Sequence, residues 1–440
     1  MFKFNDWDHK TWRLVVPIVA TNITIPLLGI VDTAVVGHLP GAHYLGGVAI
    51  GSLVFSIIFS SMMFLRMGTT GLTAQSLGAQ DDDEVRAWLI RGVLIALVIG
   101  TFLIFMQIPI SLHVFDWTNA SDEVLPLALE YFYIRIWCAP TTLLNFVILG
   151  WFLGMQNPRD AMFTQVVLNG LNIVFDLWFV VGLDMGVAGV AKATLIAEII
   201  GVTFGLWLVR RSARELRGNW CLTKTLEKQK LLRMLRVNSD IFIRSLCLQG
   251  SFFLFTSSGA RQSDIILASN TILLQFTVLS AYALDAFANA AEALAGKAYG
   301  ARNQKDFRSA VLASSRWAIV FSLFFALLFY TTGPVLIDIL TSVDDVRDMA
   351  RVYLPWLIIS PLIAVWSFQL DGIYIGATQS AAMRNTMIIS MVVFYISLRL
   401  LVPAMGNHGL WLAFMIFFAT RGLTLGVWYP RVEQGIHNVK

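Results

Sequence analysis

Asp32 stands inside the apolar run Trp12–Leu39, WRLVVPIVATNITIPLLGIVDTAVVGHL, six residues past Pro26 and fifteen past Pro17. About 20 apolar residues cross a bilayer, and crossing requires neither an acid nor a proline. An ionisable group at such a place marks a functional site. A second constellation lies in QVVLNGLNIVFDLWF, where Gln165, Asn169, Asn172 and Asp176 follow at intervals of 4, 3 and 4. That spacing draws one polar stripe along a helix. Thr194 and Glu198 share a helix face at i, i+4, and Thr21 and Asp32 share one on the first run. The chemistry these residue types support is proton binding, because a buried carboxyl beside another carboxyl can hold and release a proton. The alternative is that they are hydrogen-bond contacts between helices, each modestly stabilising.

Helices must position these groups. Of the 440 residues 57% are hydrophobic and 14% charged, and mean hydropathy is +0.69. Soluble domains carry roughly 25% charge, so the chain reads as an all-α membrane protein. Apolar runs between polar breaks predict twelve spans, near 12–38, 46–77, 87–109, 124–154, 160–182, 188–209, 238–260, 265–297, 309–331, 347–376, 383–404 and 408–430. Pro17 and Pro26 each remove an amide donor and crowd the preceding turn, making both candidate hinges of the first span. MFKFNDWDHK lacks a cleavable-signal pattern, so the first span is expected to remain as an anchor. The polar stretch 210–237 divides the chain and reads as a solvated linker between lobes at 1–209 and 238–440. The polar breaks expected inside the cell, together with the termini, hold 22 of the 32 Lys and Arg. The positive-inside rule then puts both termini in the cytoplasm.

The halves repeat at an offset of 222 residues. Gly37 meets Gly259, Leu45 meets Leu267, Ile50 meets Ile272, and Tyr131 meets Tyr353. Leu72-x5-Gly78-Ala79 meets Leu294-x5-Gly300-Ala301, and Gly150-x3-Gly154 meets Gly372-x3-Gly376. Six spans repeated in one orientation predict two pseudo-symmetric six-helix bundles, an architecture of secondary transporters. The polar groups do not repeat. Asp32 pairs with Leu254, Asn172 with Phe394 and Asp176 with Leu398.

The combination P-x14-D in span 1, N-x3-D in span 5 and a threonine 18 residues later resembles the multidrug and toxic compound extrusion (MATE) family. NITIPLLGIVDTAVVGHL, FLRMGTTGLTAQSLGA, AYALDAFANAAEALAGKAYGAR and LDGIYIGATQSAAMRN are similar to its DinF-type branch, so the resemblance spans nearly the whole chain. It implies that Asp32 is the proton-linked acid, Pro17 the kink proline, and Asn172, Asp176 and Thr194 the accompanying hydrogen-bond network. The archaeal-type aromatic near the span-1 acid is replaced here by Leu28. The implied protein is a proton-coupled antiporter, expelling small organic, mainly cationic and lipophilic drugs across a bacterial-type inner membrane. Sodium coupling, and a flippase for lipids or lipid-linked precursors within the wider superfamily, are the alternatives.

The second half carries its own charges. Asp240 and Arg244 are expected to pair at i, i+4, and Asp285, Glu292 and Asp371 to line a second cavity. Arg66 finds no partner in the sequence pattern. Cys138, Cys221 and Cys247 are too scattered for a disulfide framework, and all six histidines fall at or beyond span ends. No phosphate-binding GxxxxGK[ST] and no HExxH occurs. The expectation is therefore a monomer in the lipid bilayer, with no enzyme activity, no cofactor besides the coupling ion, no metal and no nucleic-acid partner.

Overall fold

The computed structural model describes residues 4–37, 39, 41–116, 120–218 and 220–436. Its first helix, α1 (Asp6–Gly37), is followed in the first half by α2 (His43–Gly78), α3 (Asp82–Phe105), α4 (Val124–Gly154), α5 (Pro158–Gly182) and α6 (Gly186–Ala213). The second half contributes α7 (Lys228–Ala260), α8 (Asp264–Gly300), α9 (Gln304–Leu340), α10 (Asp344–Gly376), α11 (Ser380–Met405) and α12 (Asn407–Gly435). Helices α2 to α12 are long and apolar enough to cross a membrane. With α1, 32 residues long, they make the twelve expected from the apolar runs. A short helix, Leu222–Thr225, lies before α7.

Three breaks recur at the 222-residue offset, and in two of them the same backbone device ends the same helices. Left-handed residues stand at Gln80 and Arg302, Gln156 and Thr378, and Asp184 and Gly406, with φ between +51° and +58°. At Gln156 the amide of Asn157 reaches the Phe152 carbonyl and that of Gln156 the Leu153 carbonyl, both at 2.9 Å. Gln379 and Thr378 make the equivalent bonds to Tyr374 and Ile375. These paired bonds satisfy carbonyls that a helix end would otherwise leave open. After the break at Gln80 and Arg302 the next helix starts on a side-chain cap: Asp81 accepts from the Glu84 amide and Asn303 from the Asp306 amide, each at 3.0 Å.

The repeated Gly-x3-Gly motifs are helix crossings. A Cβ on Gly150 would stand 2.4 Å from the Arg66 carbonyl oxygen of α2, and one on Gly372 would stand 2.2 Å from that of Ala288 in α8. Gly154 and Gly376 meet Thr70 and Glu292 in the same way, at 2.7 and 2.4 Å. Only glycine lets the backbones approach this closely. Arg66, unexplained by the sequence, is therefore buried where α2 passes under α4.

By its contacts the chain forms two compact units, one of Val16–Leu77 and Asp81–Met234, the other of Met1–Val15, Gly78–Gln80 and Leu235–Lys440. In the second unit Asp8, 1% exposed, accepts from Arg316 and from the Trp317 indole at 2.9 Å, and Trp12 packs edge-on to Trp317 and Phe287. The core of that unit is aromatic, built on Phe255, Phe394, Trp411, Phe414, Phe417 and Phe418.

The 210–237 stretch is more than a solvated connection. Its first residues continue α6, and its carbonyls bind arginines of α3. Arg86 donates to the carbonyls of Ala213 and Leu216 at 2.9 and 2.8 Å, and Arg91 to those of Thr225 and Lys224 at 2.9 and 2.5 Å. Arg91 also pairs with Glu84 at 2.5 Å, Lys230 with Glu84 at 2.9 Å, and Lys224 with Asp81 at 3.0 Å. The acidic DDDE segment opening α3 thus holds the basic stretch down.

Candidate functional site

Helix α1 runs unbroken from Asp6 to Gly37 through both prolines. Pro17 offers no N–H to the Arg13 carbonyl and Pro26 none to that of Asn22. The Thr21 hydroxyl turns back to the Pro17 carbonyl at 2.9 Å, and the Thr24 hydroxyl to the Thr21 carbonyl at 2.7 Å. Side-chain oxygens thereby crowd the backbone between the two prolines, a pattern that bends helices. The side chains of Pro26 and Leu28 lie outside the described residues.

The α5 stripe is buried along its whole length, and each member meets a partner on another helix. Gln165 accepts from the Asn145 amide of α4 at 2.7 Å. Asn169 donates to the Thr24 hydroxyl of α1 at 2.7 Å. Asn172 sits 3.2 Å from the Thr194 hydroxyl of α6. With its amide turned so that oxygen meets donors, it accepts from the Thr194 hydroxyl and backbone amide, and donates to Asp176 at 3.2 Å. Asp176, fully buried, faces Asp32 within hydrogen-bonding range. One oxygen of each carboxyl, Oδ1, is buried with no hydrogen-bond donor upon it among the described residues.

Glu198 belongs to the same unit but is held separately, accepting from Thr141 at 2.9 Å and Thr142 at 2.6 Å. Arg135 of α4 supplies the cation that the sequence reading missed. It donates to the Tyr131 hydroxyl, stacks 5.6 Å from the Phe55 ring, and acts electrostatically on Asp32, Asp176 and Glu198. An arginine within an apolar span was the available signal. At the 222 offset its counterpart is Leu357, and those of Gln165, Asn172 and Asp176 are Met387, Phe394 and Leu398, all within the second unit's apolar core.

The second half departs from the expected pairing. Asp240 does not pair with Arg244. It binds Arg384 at 2.5 Å and the Ser380 hydroxyl at 2.8 Å, both on α11. Arg244 instead pairs with Asp371 of α10, which also binds Arg421 of α12. Spacing within one helix could not reveal this, because the better partners stand on neighbouring helices. Asp285 acts electrostatically on Arg421, and Glu292 is buried at 1% exposure. Two arginines share one carboxylate here, with three aromatic rings within 6.0 Å of Arg421, an arrangement unlike the paired carboxyls of the first half.

The fold and these interiors define a duplicated helical membrane protein with unlike charge constellations in its two halves. The chain belongs to the MatE family, whose family model matches residues 17–178 and 241–401. It is 42% identical to DNA damage-inducible protein F of Escherichia coli K12 over 97% of this chain and 93% of that protein. It is 21% identical to the multidrug export protein MepA of Staphylococcus aureus MSSA476, over 86% of this chain and 84% of that one. A solved structure described as MATE in the bent conformation superposes with a TM-score of 0.89 at 21% identity, covering 99% of this chain and 97% of that one.

Proposed function

We propose that the protein is a proton-driven antiporter that exports small organic cations and lipophilic drugs across a bacterial inner membrane. It would work as a monomer with both termini in the cytoplasm. The observation that carries this reading is the contact between Asp32 on α1 and Asp176 on α5, in a network the second half does not repeat. The multidrug-export relative supports the cargo class, and the carboxyls of Asp32, Asp176 and Glu198 gathered about Arg135 favour cations over anions.

A hydrogen bond between two carboxyls needs one proton. With that proton gone, the pair carries two like charges and attracts a cationic cargo. A proton arriving from outside re-forms the contact, changes what Asn172 and Thr194 bind, and lets α1 bend across its two prolines to expel the cargo. A ligand shifts such an equilibrium only through differential affinity, and the proton is that ligand here. Each proton moving inward down 100 mV supplies about 2.3 kcal/mol.

The test is transport in liposomes of purified protein under an imposed proton or sodium gradient, comparing wild type with Asp32→Asn. Proton-driven exchange in wild type, lost in the variant, is the expected result. Equal proton-driven exchange in both, or exchange driven by sodium alone, overturns the reading.

A further inference from the structure

A groove of about 1340 Å³ runs along the second half between α9, α10 and α12. It exceeds the roughly 300–1,000 Å³ of ordinary small-molecule pockets. From Arg308 to Leu323 the α9 wall rises about 22 Å at 1.5 Å per residue, more than one leaflet's half of a hydrocarbon core of about 30 Å. The walls are apolar, with Leu312, Leu323, Trp366 and Leu423 facing outward. Along α12 the floor is lowered by glycine: a Cβ on Gly422 would stand 3.2 Å from the Trp366 side chain, and one on Gly426 would meet nothing within 4 Å. In the α2–α4 and α8–α10 crossings the Gly-x3-Gly pairs have a helix backbone against them; at Gly426 that place is open.

The repeat supplies an internal comparison. At the 222 offset Gly422 and Gly426 correspond to Ile200 and Phe204, two large side chains in place of glycine. Arg308 corresponds to Arg86, whose two terminal nitrogens donate to the carbonyls of Ala213, Leu216 and Arg217. In the second half Arg308 is 60% exposed at the groove's end, bound sideways to Glu433. Arg316, further along, is neutralised by Asp8. The polar end is therefore a dipole of zero net charge.

We propose that this groove is a binding site for a diacyl phospholipid with a phosphoethanolamine headgroup. The acyl chains lie along the glycine-floored wall. The headgroup phosphate meets Arg308 and its ammonium meets Glu433, beside the Tyr429 ring. A headgroup that is neutral overall but carries both charges matches the Arg308–Glu433 pair. A purely anionic headgroup would face the Glu433 carboxylate, and a choline headgroup cannot donate hydrogen bonds to it.

The full chain, reconstituted in vesicles of equal parts phosphatidylethanolamine, phosphatidylglycerol and phosphatidylcholine and released in mild detergent, is weighed by native mass spectrometry. Phosphatidylethanolamine is expected to be retained about tenfold over the others, equivalent to about 1.4 kcal/mol. Glu433→Gln and Arg308→Gln should each abolish the preference. Gly426→Leu should remove retained lipid altogether, and Val427→Trp serves if that variant is not monodisperse. Equal retention of the three lipids, preference for phosphatidylglycerol, or retention unchanged by filling the groove overturns the proposal. So does displacement of the lipid by tetraphenylphosphonium, which would make the groove part of the cargo path.

Discussion

Asn169 of α5 donates to the Thr24 hydroxyl of α1 at 2.7 Å, and two turns further along both helices Asp176 meets Asp32. The two helices therefore run side by side, joined by one neutral contact and one acidic contact. The neutral contact holds the register that brings the acids together.

Cutting the neutral contact should weaken the acidic one. Asn169→Leu and Thr24→Val are each expected to destabilise the first unit, with a coupling of about 0.6–2 kcal/mol in a double-mutant cycle, as for other interhelical hydrogen bonds in membranes. Thermal unfolding in detergent measures it, and strictly additive effects would show that the bond carries nothing.

The Arg244–Asp371–Arg421 cluster predicts an asymmetry. Asp371→Asn leaves two buried guanidiniums without their shared carboxylate and should cost about 3–5 kcal/mol. Arg421→Met leaves Asp371 paired with Arg244 and should cost clearly less. The order of the two melting temperatures decides it.

Glycines at the crossings should be intolerant where their neighbours are backbone. Gly150→Ala and Gly372→Ala each push a Cβ onto a carbonyl oxygen, and about 1–3 kcal/mol of overpacking strain is expected. Gly170→Ala on α5 meets nothing within 4 Å and should be neutral or stabilising through helix propensity. Melting curves of the three variants test the contrast.

The fold of residues 222–230 onto α3 should depend on pH only at the extremes. Burial acts to raise the Asp81 carboxyl, but Lys224 and the Glu84 amide outweigh it and hold the carboxyl below its ordinary 3.8. Burial likewise opposes the Lys224 charge, and Asp81 and Asp83 outweigh that, holding the amine above its ordinary 10.5. A depressed carboxyl contributes stability above 3.8 that fades as pH falls through its folded value. A raised amine contributes stability below 10.5 that fades as pH rises through its own. A fluorine probe on the exposed Cys221 should report a flat neutral range and loosening at both ends. The amplitude should be small, because both partners are about one-third exposed or more.

The sequence by itself determined where the helices lie, that they repeat at 222 residues, and that one half carries an acid and a polar stripe the other lacks. These are short-range properties. A membrane helix satisfies its own backbone, so an apolar run of sufficient length declares itself, and i, i+3, i+4 spacing fixes which residues share a face. Only the tertiary structure decided partners. It gave Arg244 to Asp371 instead of Asp240, set Arg135 within reach of Asp32 and Asp176, and folded the basic stretch onto α3. It also grouped residues 4–15 with the second half and left Gly426 of α12 without a covering helix. Each depends on which helix stands beside which, and that is settled by small residues and side-chain shape across distances of hundreds of residues. In an apolar medium the buried charge takes the best-placed counter-charge, not the nearest one in the chain.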